Sequence, residues 1–82
     1  METFSKMEWE GLIGQLNLSP QQAKIMECLF NDMGDKQIAT EMGISIHTVR
    51  THLTRMFIKY GVQDRVGLIM HIFQSFRNNS PK

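Results

Sequence analysis

The run Ile38-Ala39-Thr40-Glu41-Met42-Gly43-Ile44-Ser45-Ile46-His47-Thr48-Val49-Arg50-Thr51-His52-Leu53 decides the fold. Ala39 is followed four positions later by Gly43, and Gly43 six positions later by Val49. Two helices crossing at a short turn need this order of residue types. A small side chain, Ala39, must stand where the backbones approach. The first helix must stop on a residue that accepts positive φ, a role for Gly43. The second must turn Val49 and Leu53 back onto the first, with Ile38, Met42 and Ile44 filling the space around them. This unit is a helix-turn-helix, and it is used to lay its second helix in the major groove of duplex DNA.

Start and stop signals place further helices on either side. Ser5 and Glu8 form a capping box ahead of Trp9, Leu12, Ile13 and Leu16, which fall at helix spacing over residues 6–16. Gly11 and Gly14 weaken that helix by about 1 kcal/mol each relative to alanine. Ser19, Pro20 and Gln22 open a second helix with a buried stripe of Ala23, Met26, Leu29 and Phe30, closed by Asn31, Asp32 and Gly34. A third runs from about Asp35 to Met42 with Ile38, Ala39 and Met42 inward, and Ser45 caps a fourth over residues 46–60 that Gly61 ends. A fifth begins at Asp64 and reaches about Phe76. No strand pattern, repeat or low-complexity tract interrupts them. The expectation is an all-α fold, a small helical bundle built on a helix-turn-helix. Residues 1–17 form an N-terminal helical extension, 18–76 the helix-turn-helix domain and 77–82 a frayed tail.

The 82 residues suffice for one small domain with a limited core, so support from an oligomer interface would be natural. Hydrophobic content of 41% excludes a disordered chain. No apolar run approaches the ~18 residues of a membrane helix, and the N-terminus lacks a secretory layout. The single cysteine, Cys28, excludes an internal disulfide and reads as a small buried hydrophobe. These features describe a cytoplasmic protein. The net charge of +1 hides an asymmetry. Residues 1–43 carry three lysines against seven acids, a net of −4, while residues 44–82 carry six cations against Asp64 alone, a net of +5. The positive half holds the second helix of the motif.

At ~100° per residue, Ile46, Val49, Leu53, Met56, Phe57 and Tyr60 of that helix share one apolar sector. His47, Thr51, Thr54, Arg55 and Ile58 lie opposite, with Arg50 on one flank and His52 and Lys59 on the other. No acid occurs between Ile44 and Gln63. Reading the major groove takes forked or flexible donors for guanine O6 and N7, and small groups for thymine methyls. Arg50 suits the first task, and Thr51 and Thr54 the second. Arg55 and Lys59 read as phosphate contacts.

Other chemistries find no support. His47 and His52 are five residues apart and point apart on a helix, where zinc would favour a spacing of three or four. No metal and no cofactor is expected, and His71 reads as a surface or interface residue. Ser19, Ser45 and Thr48 stand where caps are needed, which accounts for them. With no glycine-rich phosphate loop and no paired buried carboxylates, no enzyme is expected.

The segment from Leu18 to about His71 resembles the DNA-binding domain of LuxR/FixJ-type bacterial transcription regulators, which include small GerE-like proteins. The resemblance lies in Leu18-Ser19-Pro20, Lys36-Gln37-Ile38-Ala39, Met42-Gly43-Ile44-Ser45, Thr48-Val49-Arg50-Thr51-His52, Lys59, Val62 and Arg65. It implies a four-helix domain whose third helix, here 46–60, enters the major groove. Its last helix, here 64–76, would support dimerisation on a two-fold site. It implies base contacts at Arg50, Thr51 and Thr54, and places Thr48, His52 and Lys36 near phosphates. Two positions depart from the family pattern. Asp32 stands where a glycine is usual after the first family helix, and Gly34 where a polar cap is usual.

The function these features imply is sequence-specific binding of double-stranded DNA in transcription regulation. The alternative is an interaction module that keeps the scaffold but docks on RNA polymerase or another regulator. One further expectation concerns the fifth helix. Val66, Ile69, Met70, Phe73 and Phe76 furnish an inward stripe, and Leu68 and Ile72 widen the apolar sector to about 200°. Either the N-terminal helix folds over the excess through Trp9, Leu12 and Leu16, or a homodimer forms through Leu68, Ile72 and Phe76. The homodimer is the assembly that the resemblance implies.

Overall fold

The computed structural model describes residues 4–79, which form five helices and no strand. They are α1 (Lys6–Leu16), α2 (Pro20–Phe30), α3 (Asp35–Met42), α4 (Ile46–Tyr60) and α5 (Arg65–Asn79). Local chemistry sets nearly every boundary. Ser5 Oγ accepts the Glu8 N–H at 3.1 Å while Glu8 Oε1 accepts the Ser5 N–H at 2.8 Å, closing the capping box of α1. The same reciprocal pair, Ser19 with Gln22, opens α2 behind Pro20. Asn17, Gly43 and Gly61 end α1, α3 and α4 in the left-handed conformation. Asparagine joins glycine there because its short polar side chain tolerates that region.

Asp32 also takes positive φ, at 60°, in the position where a glycine is usual. Gly34, whose freedom goes unused at φ −79°, is the N-cap of α3. It offers no side chain to the helix, so only the return half of a capping box forms, from its N–H to Gln37 Oε1 at 3.0 Å. The departure therefore leaves the start of α3 at Asp35 and transfers the backbone strain to Asp32.

Ile25, Met26, Ile38, Val49, Met56, Leu68 and Ile72 have almost no exposure and form the centre of the core. Burying each contributes about 1.5–3 kcal/mol before entropy is subtracted. Ile25 lies outside the stripe expected for α2. Cys28 is buried beside it, and its thiol is pushed up, chiefly by burial, with Glu27 and Glu41 adding and Lys24 opposing. The sulfur stays protonated and packs as a hydrophobe.

The N-terminal helix folds back over the bundle. Phe4, just ahead of α1, stacks near Trp9 and meets Phe73 and Phe76 of α5 with ring centroids 5.5 and 4.9 Å away. Trp9 meets Phe30 edge-on at 5.6 Å. This aromatic cover changes the orientation expected for α5. Leu68 and Ile72 are 0% exposed, whereas Val66 and Met70 are 65% and 52% exposed. The helix is turned by about a quarter of its circumference from the expected phase. Side chains with no exposure in a single chain cannot form the surface between two intact copies, so Leu68 and Ile72 are core residues. Phe76, the third expected dimer residue, is half-buried under Phe4. α5 also continues through residues 77–79, beyond the expected end near Phe76, and the rest of the expected tail lies outside the described residues. Among the described residues, no helix is long and apolar enough to cross a membrane.

Candidate nucleic-acid interface

The turn between α3 and α4 fixes how the outer surface of α4 is presented. Gly43, at φ 67°, lets the Ile44 N–H return to the Ala39 carbonyl at 3.0 Å, so the chain reverses within three residues. Ser45 Oγ then accepts the Thr48 N–H at 3.0 Å and caps α4. Val49 and Ala39 are both buried at the crossing, and Leu53 and Met56 continue the buried stripe along α4. With that side in the core, the opposite side is free.

His47, Arg50, Thr51, Thr54 and Arg55 line one shallow depression of about 350 Å³ on the outside of α4. Five of the expected binding residues therefore share one surface. Thr51 donates its hydroxyl to the His47 carbonyl at 3.0 Å, which leaves its oxygen lone pairs and methyl for an incoming group. Arg55 makes no ion pair among the described residues. Thr48 is half-buried, with its hydroxyl 2.9 Å from that of Ser45 at the start of the helix. Lys36 is exposed on α3 and lines a second depression with Gln37 and Thr40.

Two further expected residues, on the flank of α4, lie outside this depression. His52 is half-buried, and its Nδ1 is shut off from solvent without a hydrogen-bond partner, so that atom cannot meet a phosphate. Lys59 donates Nζ to the Leu16 and Asn17 carbonyls at 3.3 and 3.2 Å. The last carbonyls of a helix lack intrahelical partners and form its negative end, so they draw in a cation. Tyr60 reinforces this link by donating its hydroxyl to the Leu16 carbonyl at 2.8 Å. Burial pushes the Tyr60 phenol up. His71, half-buried on α5, tilts against the Tyr60 ring with centroids 4.8 Å apart.

One element of the surface had no place in the sequence reading. Asp35, the first residue of α3, accepts Arg50 Nε on Oδ2 at 3.2 Å and Arg65 Nη2 on Oδ1. Arg65 Nη1 is in turn held by the Met33 carbonyl at 3.0 Å. Arg50 thus reaches across to an acid of the negative half of the chain. An aspartate also suits the positive start of a helix, so its residue type alone does not reveal the longer contact.

Residues 16–72 match the family described as bacterial regulatory proteins, luxR family. The chain is 32% identical over 57 residues to the spore germination protein GerE of Bacillus subtilis, covering 70% of this chain and 77% of that one. It is 26% identical over 61 residues to the probable transcriptional regulator ycf29 of Cyanophora paradoxa, covering 74% of this chain and 29% of the relative. It is also 40% identical over 50 residues to the probable HTH-type transcriptional regulator GfsR of Streptomyces halstedii, covering 61% of this chain and 21% of that protein. The chain thus spans less than a third of ycf29 and of GfsR, and most of GerE. No solved structure matches it.

Proposed function

The chain belongs to the luxR family of bacterial regulatory proteins, and from that premise we propose that it is a transcription regulator that binds double-stranded DNA sequence-specifically. In this reading α4 lies in the major groove. Arg50, Thr51 and Thr54 meet base edges, and Lys36, His47, Thr48 and Arg55 meet or adjoin the phosphates. The observation that carries it is the common depression of His47, Arg50, Thr51, Thr54 and Arg55, opposite a side of α4 wholly occupied by the core. The chemistry asked of these residues is binding, with no catalytic step, and the working place is the cytoplasm.

A homodimer on a two-fold site completes the reading. Val66 and Met70 stand one turn apart on the outward side of α5, both large, apolar and exposed. We assign the self-association surface to them in place of Leu68 and Ile72.

A gel shift of the chain against genomic fragments at two salt concentrations tests the function. A subset of fragments sharing a sequence should be retained, with affinity falling in proportion to the phosphates contacted. Arg55→Ala should weaken binding to all fragments alike and lower the salt slope by roughly one unit. Retention of no fragment at either salt would favour a module that docks on RNA polymerase or another regulator.

A further inference from the structure

We propose that Asp35 is a positioning residue that holds Arg50 by its Nε and so gives the α4 surface a preference for guanine at one base pair of each half-site. The inference rests on the DNA-binding reading and deepens it.

An arginine guanidinium carries one N–H on Nε and two on each Nη, all in one plane. The Asp35 carboxylate takes the Nε edge, at 3.2 Å from Oδ2. The two Nη groups are left as a parallel pair of donors at the far end of the side chain. Guanine O6 and N7 are two acceptors side by side in the major groove and accept such a pair together. Adenine offers N7 beside an amino donor, so one of the two bonds is replaced by a donor–donor clash.

Asp35 is a fixed support for this. Its side chain is half-buried, its other oxygen accepts from Arg65 Nη2, and Arg65 is itself tied to the Met33 carbonyl at 3.0 Å. The guanidinium of Arg50, 68% exposed at the side chain, is thereby held from a rigid base on α3 and α5 while its tip stays open. An exposed pair of this kind contributes little stability. What it supplies is orientation, together with a negative charge that repels phosphates from Arg50. Both effects direct the arginine toward bases.

The test uses the full chain with a pool of duplexes randomised over the central base pairs, reading which sequences wild type, Asp35→Asn and Asp35→Glu retain. Wild type should prefer guanine at one position of each half-site by about tenfold, within the range of a bidentate pair. Asp35→Asn should cut that preference below about threefold while binding the unselected pool severalfold more tightly, with a steeper salt dependence, because the released guanidinium becomes a phosphate contact. Asp35→Glu keeps the charge but moves the carboxylate outward by one methylene, so it should lose the preference without the gain in pool affinity. A purely structural role would weaken all sequences together and raise none. Wild-type guanine preference in either variant, or uniform weakening in both, would overturn the role of Asp35. A wild type that retains no duplex would overturn the DNA-binding reading and this inference with it.

Discussion

α4 and α5 are equally long, 15 residues each, and both contribute fully buried side chains to the same core. Their sequences differ in what lies opposite the core. α4 sets cations, hydroxyls and imidazole against its apolar stripe, so only one rotation about its axis keeps the charges in water. α5 carries apolar residues around most of its circumference, and several rotations bury a comparable area. Its orientation is decided by a partner, the aromatic group of Phe4, Trp9 and Phe30 that receives Phe73 and Phe76. A helix states its own orientation when its polar residues are costly to bury. Otherwise its neighbours state it.

The strongest way to break this comparison is to place a carboxylate on each buried side. Val49→Asp on α4 and Leu68→Glu on α5 put a charge at positions with 0% exposure, where an unpaired ion cannot be accommodated. Each should remove at least about 4 kcal/mol, most of the stability of a small domain. Circular dichroism and urea titration should find both largely unfolded. A folded, monomeric Leu68→Glu variant would restore Leu68 to the surface and return α5 to the phase expected from its sequence.

Trp9→Ala tests the partner that orients α5. Removing this buried aromatic should cost about 3–5 kcal/mol by urea denaturation. A loss below 1 kcal/mol would mean that α1 lies on the bundle without ordering it.

Tyr60→Phe is milder. It deletes the bond to the Leu16 carbonyl that joins α4 to α1 and should cost about 0.5–1.5 kcal/mol. The phenol is raised in the folded state by burial, so the folded protein holds this proton more tightly than the unfolded chain does. The stabilisation is full below the ordinary tyrosine range near pH 10 and is lost as pH rises through the folded value. Wild type should therefore lose stability above about pH 10 more steeply than the Phe variant. Parallel profiles would remove Tyr60 from the alkaline transition.

The smallest effect on folding belongs to the pair Val66→Glu and Met70→Glu. Exposed as these residues are, the double variant should change stability by no more than about 0.5 kcal/mol at each site. Sedimentation should nonetheless show a shift to monomer at concentrations where wild type associates. Equal sedimentation of the two would remove this side of α5 from the assembly.

The comparison also explains what could be read in the residues alone. Caps and stops are local chemistry, so Ser5, Ser19, Ser45, Gly43 and Gly61 marked the ends of helices without reference to the rest of the chain. The crossing of α3 on α4 was legible for the same reason, since Ala39, Gly43 and Val49 lie within one short segment. Contacts across the chain were not legible. Lys59 faces an exposed flank on a helical projection, yet α1 brings the carbonyls of Leu16 and Asn17 to it from more than forty residues away. Asp35 and Arg65 are thirty residues apart, and periodicity says nothing at that range. His52 lies beside Lys59 on the same flank, and the burial of its Nδ1 is likewise set by packing that a helical projection does not show.

The claim at the centre is that the outward side of α4 meets duplex DNA. The most direct measurement is a nitrogen-15 heteronuclear NMR titration of the chain with a duplex recovered from the genomic fragments. The account predicts shift changes concentrated at His47, Arg50, Thr51, Thr54 and Arg55, with Lys36 following and the residues of α1 little moved. Changes confined to α1 or the outward side of α5, with α4 undisturbed, would contradict it.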